Sequence, residues 1–181
     1  VVVRAIGSDL NMDYTAVGQT THLAARMEQM AKPGSVLVTG DTLKLAEGYA
    51  VFANGGYRVA PFLIAKVVDS KGNVLSEATP EVAGDNAERA LDPRNAFLMT
   101  SLLKDVIAHG TGARALSLGR RDLAGKTGTT NENVDAWFCG YNAALVGVAW
   151  IGHDQPKSLG TNETGGVAAL PIWIGYMQKA L

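Results

Sequence analysis

A lysine, two glycines and three threonines stand close together around residue 126, and these residue types could bind an anionic substrate. Residues 123–130 read Leu-Ala-Gly-Lys-Thr-Gly-Thr-Thr, a pattern typical of a short strand. On a strand that faces a cleft, the lysine offers an anchoring cation, a threonine offers a hydroxyl, and a glycine lets a ligand approach the backbone closely. The Lys-Thr-Gly triplet alone is a weak signal, because three common residues recur by chance, and its flanks make it specific. The predicted substrate-binding residues are Lys126, Thr127, Gly128, Thr129 and Thr130.

A serine and a lysine, Ser101 and Lys104, have a spacing that serine acylation can use. A serine nucleophile needs a basic group about one helical turn away, together with an oxyanion hole. Helical spacing puts both side chains on one side of a predicted helix. The intervening Leu102 and Leu103 also belong to the apolar stripe of that helix. We therefore interpret the spacing as a coincidence and assign no catalytic residue.

The composition favours one domain and excludes several classes of partner. The chain has 181 residues, 47% of them hydrophobic, and 16 basic and 17 acidic residues give a net charge of −1. Nucleic-acid binding needs clustered positive charge, so we predict no nucleic-acid partner. We predict no membrane segment, because no run reaches about 18 apolar residues. No metal site is predicted, because ligands at metal-binding spacing are missing, and no other cofactor is predicted.

The single cysteine and the first residues say little about cellular location, which stays unknown. Cys139 cannot form an internal disulfide, and its apolar surroundings in the sequence favour buried packing over nucleophilic chemistry. The chain opens on Val1 without a methionine or a signal peptide, which favours a piece of a longer protein.

Hydrophobic periodicity predicts an α+β fold, in which helices are layered on a mixed, mostly antiparallel sheet. The predicted helices are Thr20–Ala31, a helix from Asp41 toward Tyr49 with an end at Ala53, Pro93–His109 and Pro171–Leu181. The predicted strands are Val1–Ile6, Met12–Val17, Ser35–Thr39, Tyr57–Val68, Asn73–Ser76, Lys126–Thr129, Ala136–Tyr141 and Leu145–Ile151. The last strand is nearly all apolar, so we expect it to be buried on both faces. We expect the first strands to join the later ones in one sheet, whose open edge would favour self-association.

Residues from about 49 to 181 resemble the C-terminal part of the transpeptidase domain of class A penicillin-binding proteins. The resemblance lies in blocks at residues 50–61, 89–93, 105–107, 110–112, 124–130, 163–166 and 170–173. It implies the third active-site motif of a D,D-transpeptidase, an enzyme that cross-links peptidoglycan. Lys126 would polarise the site, Thr129 would give a backbone N–H to the oxyanion hole and a hydroxyl to the substrate carboxylate, and Thr130 could assist. The family's Ser-x-x-Lys and Ser-x-Asn motifs would lie N-terminal to this region.

Residues 1–48 resemble the C-terminal half of a class III nucleotide cyclase catalytic domain. The resemblance lies in blocks at residues 12–20, 22–28 and 32–38. It implies that Thr15 helps to select the base and that Arg26 stabilises the transition state, although an exposed helix cation is the simpler interpretation of Arg26. The carboxylates that hold two cations in that family would precede this segment. His22 and Gln19 stand where the family usually has an asparagine and a carboxylate.

Two unrelated resemblances, which meet within residues 45–51, favour a recombined or artificial chimera. We predict a fragmentary transpeptidase-like domain with the Lys-Thr-Gly motif, no identifiable serine nucleophile and no catalysis. Its partners would be a peptidoglycan stem peptide ending in D-alanyl-D-alanine, or a β-lactam, each bound weakly. The alternatives are a purely structural chimera without a specific ligand, a residual nucleotide-binding module, and an acyl-transfer enzyme that uses Ser101.

Overall fold

A computed structural model describes residues 2–6, 13–17, 40–62, 64–153 and 155–181. The helices are α1 (Gly40–Ala53), α2 (Pro93–Ala108) and α3 (Leu170–Ala180), with a 3₁₀ helix at Ala113–Leu118 and a π-helical turn at Gly165–Ala169. The strands are β1 (Val2–Ile6), β2 (Asp13–Val17), β3 (Tyr57–Arg58), β4 (Lys66–Val68), β5 (Val74–Glu77), β6 (Glu88–Arg89), β7 (Ala124–Thr129), β8 (Asp135–Tyr141) and β9 (Val146–Gly152). The strand pairs among these residues are antiparallel, and the α+β class is confirmed. None of the helices in the described ranges is long and apolar enough to cross a membrane.

The two N-terminal strands pair with each other. β1 and β2 form a two-stranded sheet in which Arg4 lies opposite Thr15. The expectation that these strands join the later ones in one sheet is wrong, because a short connection lets antiparallel neighbours pair directly. The predicted helix Thr20–Ala31 and strand Ser35–Thr39 lie outside the described residues. α1 runs unbroken across the predicted segment boundary at residue 48, and that boundary stays a prediction.

A three-stranded sheet in the order β7-β8-β9 carries the Lys-Thr-Gly residues. Lys126 of β7 lies opposite Cys139 of β8. The central strand β8 is mostly buried, whereas β9 has only Ala149 buried and leaves Trp150 39% exposed. The prediction that the strand Leu145–Ile151 is buried on both faces is therefore wrong, because β9 lies at the edge of the sheet.

Helices cover both faces of the central sheet. Successive side chains of a strand point to opposite faces, so each face presents side chains on which a helix can pack. α1 and α2 pack on one face, where Tyr49, Leu103 and Tyr141 belong to one apolar cluster. α3 and the 3₁₀ helix pack on the other face, where Phe138 and Trp173 belong to a larger cluster. The sheet is thus held from two sides, and β7 with it.

The start and the end of α2 agree with the signals in the sequence. The Asp92 side chain accepts a hydrogen bond at 2.9 Å from a backbone N–H of the first turn, and Pro93 opens the helix. At the other end, the N–H groups of Gly110 and Gly112 donate to the Val106 carbonyl at 3.0 and 3.1 Å. These bonds end the helix and turn the chain back toward β7.

The segment between α1 and α2 differs from the prediction. The expected strand Tyr57–Val68 is two short strands, since β3 pairs with β6 and β4 pairs with β5. Pro61 lies between β3 and β4, and it has no N–H to donate to a strand ladder. The segment between β5 and α2 contains β6, which is fixed where the Gly56 carbonyl accepts the Ala90 N–H at 2.9 Å.

Two glycines that lie opposite each other make room for a tryptophan of α3. Gly140 of β8 pairs with Gly147 of β9. A Cβ atom on Gly140 would lie 2.7 Å from Trp173 Cζ2, and one on Gly147 would lie 2.7 Å from Trp173 Nε1. The indole N–H donates to the Gly147 carbonyl at 3.2 Å, and the Phe138 ring packs edge-on at 4.9 Å. Trp173 is 1% exposed, so it joins α3 firmly to the sheet.

We predict that Gly140→Ala destabilises the protein by about 1–3 kcal/mol, because the new methyl group displaces the indole from a packed core. Gly175→Ala is the matched control, since Gly175 lies in the same helix as Trp173 and a Cβ there meets nothing within 4 Å. This control should stabilise the protein by up to about 1 kcal/mol. Urea unfolding followed by tryptophan fluorescence measures both changes. Equal stability of the two variants would contradict the packing described.

Candidate functional site

Lys126 presents an ammonium group at the free edge of β7. The side chain is exposed, and its Nζ donates to the Thr127 carbonyl at 2.8 Å and to Thr127 Oγ1 at 3.2 Å. Neighbouring strand side chains point to opposite faces, so the ammonium reaches around the edge of the strand to meet that hydroxyl. Within the described ranges, no carboxylate forms an ion pair with Lys126. A cation that is held only by neutral oxygens is available to an anionic ligand.

The turn after α2 brings a second hydroxyl to this edge. Thr111 follows the helix, and its Oγ1 lies 2.7 Å from Thr127 Oγ1. A Cβ on the next residue, Gly112, would lie 3.2 Å from Ile107 Cγ1, so the turn packs closely against α2. Thr111 is not among the site residues predicted from the sequence, and its place between two glycines is its local signal. Each hydroxyl can donate or accept, so the pair can adapt to a ligand.

The π-helical turn packs on β7 and reaches Thr129. The Gly165 N–H donates to Thr129 Oγ1 at 3.0 Å. A Cβ on Gly165 would lie 2.3 Å from the Trp137 carbonyl oxygen and 2.5 Å from the Gly128 carbonyl oxygen. Only glycine fits this close approach of two backbones. Gly165 is thus a further residue that shapes the site, and the adjacent glycines of this segment were its signal in the sequence.

Thr130 is engaged in the turn between β7 and β8. Its Oγ1 accepts the Asp135 N–H at 2.7 Å, and its own N–H donates to the Asp135 carbonyl at 3.1 Å. Glu132 and Asn133, in the same turn, have φ values of 60° and 54°, in the left-handed region. Thr130 therefore shapes the end of the strand. Its role toward a substrate, like the roles of the other four residues of the motif, stays a prediction.

The sheet face under Lys126 carries groups that are neutral near pH 7. Cys139, opposite Lys126, is 5% exposed, and burial raises the pKa of its thiol from 9.0 to about 11. Burial, with smaller contributions from Cys139 and Tyr141, raises the pKa of Tyr49 to about 12. Burial also raises the pKa of Tyr141, against the lowering effect of its 2.9 Å hydrogen bond with Thr100. None of these groups carries a negative charge near pH 7 that could pair with the Lys126 ammonium.

The remaining predicted residues do not join this group. Thr15 lies on β2, in a separate sheet, and Arg26 lies outside the described residues. Ser101 and Lys104 line a different cavity, beside α2, that does not include Lys126. Across the part of the chain that the structure describes, no three His, Cys, Asp or Glu side chains are grouped so that they could hold a metal ion.

Comparison with known families gives a match over most of the chain. A family model described as the penicillin binding protein transpeptidase domain matches residues 11–171. This range includes most of the segment that resembles a nucleotide cyclase. None of the similarities found supports a cyclase-like part or a chimera.

Curated proteins and solved structures agree with this match. The chain is 52% identical to penicillin-binding protein 1A of Neisseria lactamica and 42% identical to that of Pseudomonas aeruginosa, over 80% and 82% of its length. It spans 18% and 23% of those two proteins. The crystal structure of penicillin-binding protein 1A from Haemophilus influenzae superposes with a TM-score of 0.73 at 34% identity, over 77% of this chain and 26% of that one. An imipenem acyl-enzyme complex of penicillin-binding protein A from M. tuberculosis superposes with a TM-score of 0.56 at 25% identity, over 75% of this chain and 30% of that one.

We predict that stability falls as the pH rises from 8 to about 10.5, because the folded protein keeps the Cys139 proton that the unfolded chain releases. The sign follows from the raised pKa of about 11 against 9.0, since the unfolded state binds fewer protons in this range. The expected loss from this thiol is about 2 kcal/mol. Urea unfolding at both pH values measures it, with Cys139→Ala as the control that should lose less. A variant that loses as much as the parent would contradict the assignment to Cys139.

Proposed function

This chain belongs to the penicillin-binding protein transpeptidase family, and we propose that it forms one wall of a substrate cleft without the nucleophile. In this proposal Lys126, Thr127 and Thr129 bind the carboxylate of a peptide that ends in D-alanyl-D-alanine, or of a β-lactam. Binding is weak and no acyl transfer follows. The observation that carries the proposal is the exposed Lys126 ammonium, which lies among hydroxyls and forms no ion pair within the described residues.

The donors at this edge suit a carboxylate. Charge-assisted hydrogen bonds to an ammonium are among the strongest that an exposed carboxylate can form. Thr127 and Thr111 add two hydroxyls whose mutual bond of 2.7 Å can open toward a ligand oxygen. β7 is an edge strand, so an extended peptide can pair with its free backbone groups.

The relatives support the class of ligand. The M. tuberculosis protein is described as an imipenem acyl-enzyme complex, and it shares the fold of this chain at 25% identity. A β-lactam with a carboxylate group presents the same charge as the end of a D-alanyl-D-alanine peptide. Because this chain spans about a fifth of the curated relatives, the activity of a whole penicillin-binding protein is not carried over.

The geometry around Ser101 supports the absence of catalysis. Ser101 and Lys104 hold the one Ser-x-x-Lys spacing in the sequence. Both lie on α2 and line a cavity whose lining does not include Lys126, which favours separate roles for these groups. Of the leucines between them, Leu103 is 7% exposed and packs in the core, while Leu102 is 63% exposed. We therefore assign Ser101 no role in acylation.

We predict that an N-acetylated D-alanyl-D-alanine peptide binds with a dissociation constant of about 1 mM or weaker, and that Lys126→Gln weakens it about tenfold further. The loss follows from removal of the charge that pairs with the carboxylate. NMR titration of the backbone amides measures both constants. Lys157→Gln is the matched control, because Lys157 is an exposed lysine in a loop outside the strand of Lys126. The same peptide with a C-terminal amide tests the carboxylate and should not bind.

A purely structural chain would give a different result in that titration. Equal binding of the acid and amide peptides, or equal affinity of Lys126→Gln and the parent, would contradict the proposed carboxylate site. The absence of saturable binding by the acid peptide would favour a chain without a specific ligand.

We predict that prolonged incubation with penicillin leaves the intact mass of the protein unchanged, because within the described residues the Lys126 ammonium bonds to Thr127 and to no serine. Electrospray mass spectrometry measures this, with a complete penicillin-binding protein as the positive control. A covalent adduct that disappears in Ser101→Ala would overturn the proposal and make the chain an acyl-transfer enzyme.

A further inference from the structure

A second cavity, with a volume of about 680 Å³, lies between α2, the 3₁₀ helix and the residues that lead into β7. None of the Lys-Thr-Gly residues lines it. Its volume falls within the range of small-molecule sites in proteins. The proposed carboxylate site does not explain this cavity, whose lining combines an apolar wall with several cations.

Leucine and isoleucine side chains form the apolar wall. Ile107 of α2 and Leu123 before β7 are each 2% exposed, so they form a fixed floor. Leu116 of the 3₁₀ helix also lines the cavity and is 45% exposed, so part of its surface is open to a ligand. Covering such a surface with an alkyl group is favourable, at roughly 25 cal/mol per Å² of apolar area.

Two of the basic side chains that line the cavity already contact a carboxylate. The Arg120 guanidinium donates to both carboxylate oxygens of Asp122 at 2.9 and 2.6 Å. This contact raises the pKa of Arg120 and lowers the pKa of Asp122. The His109 ring lies 2.7 Å from Asp105, one helical turn away. The Arg120–Asp122 pair is neutral, and Asp105 adds a carboxylate to the lining of the cavity.

Lys104 and Arg121 are the cations that remain. Both line the cavity, both are exposed, and neither forms an ion pair within the described residues. The hydroxyl of Ser101, one turn before Asp105, lines the same cavity and can donate a hydrogen bond. The cavity thus offers two free positive charges and a hydroxyl beside an apolar wall.

We propose that this cavity binds an amphipathic phosphate monoester, with its phosphate on Lys104 and Arg121 and its alkyl chain on the wall of Leu116, Ile107 and Leu123. A phosphate monoester carries nearly two negative charges at neutral pH, which matches the two free cations. An arginine fork fits phosphate oxygens, and the lysine adds a mobile charge. Ser101 and Lys104, whose spacing suggests acylation, act here as ligand-binding groups. The proposal does not depend on the carboxylate site at Lys126.

The test is calorimetric titration of the full chain with octyl phosphate below its critical micelle concentration. Inorganic phosphate tests the anion alone, octyl glucoside tests the alkyl chain alone, and octanoate tests a carboxylate in place of the phosphate. The variants are the double substitution Lys104→Gln/Arg121→Gln, then Leu116→Asn for the wall, and Lys157→Gln as a control that removes one exposed positive charge elsewhere. The substituted side chains are exposed, and the melting temperature of each variant checks its fold.

We expect saturable binding of octyl phosphate with one site per chain, weakened about tenfold in the double variant and unchanged in Lys157→Gln. Leu116→Asn should weaken the binding of octyl phosphate and leave the weak binding of inorganic phosphate unchanged. The D-alanyl-D-alanine peptide should not compete. No saturable binding, equal binding of octyl glucoside, tighter binding of octanoate, or an unchanged affinity in the folded double variant would each overturn the proposal.

Discussion

Trp173 packs against two paired glycines, and this contact joins α3 to the central sheet. Because Gly140 and Gly147 have no side chains, the indole of α3 lies directly on the backbone of β8 and β9. Phe138 fills the space beside it, and a Cβ on Gly125 of β7 would lie 2.8 Å from the Phe138 ring. One layer of glycines and aromatic rings therefore fixes β7 just before its lysine. Side chains on a strand that is packed in this way are positioned more precisely than side chains on a loop.

The candidate site lies where three segments that are distant in sequence meet. The turn after α2 contributes Thr111, β7 contributes Lys126 with its neighbouring hydroxyls, and the π-helical turn contributes the N–H of Gly165. Neutral buried groups lie under the lysine, and no ion pair holds it within the described residues. The Lys126 ammonium is therefore available to bind an anion, and close backbone packing fixes the positions of the groups around it.

The chain belongs to the transpeptidase family, and it spans only part of the length of its relatives. The match over residues 11–171 accounts for the fold and for the Lys-Thr-Gly strand. The chain spans about a fifth of its curated relatives, and the carboxylate site at Lys126 is proposed for this part alone. The cavity beside α2 uses Ser101 and Lys104 at the spacing that suggests acylation, yet away from Lys126. We therefore assign Ser101 and Lys104 a role in ligand binding at this cavity and not in acylation.

Elements whose signals lie within a few neighbouring residues could be predicted from the amino-acid sequence. The cap at Asp92, the proline after it and the apolar stripe that follows were enough to predict α2, and the Lys-Thr-Gly strand was predicted from its own residues. The tertiary structure alone decided which strand is central, how the segment between α1 and α2 pairs, and that Thr111 and Gly165 adjoin the motif. Caps and periodicity act over a few residues, so one stretch of sequence contains them. Strand order and close backbone approach depend on contacts between residues that are far apart in the chain, and no local pattern specifies those contacts.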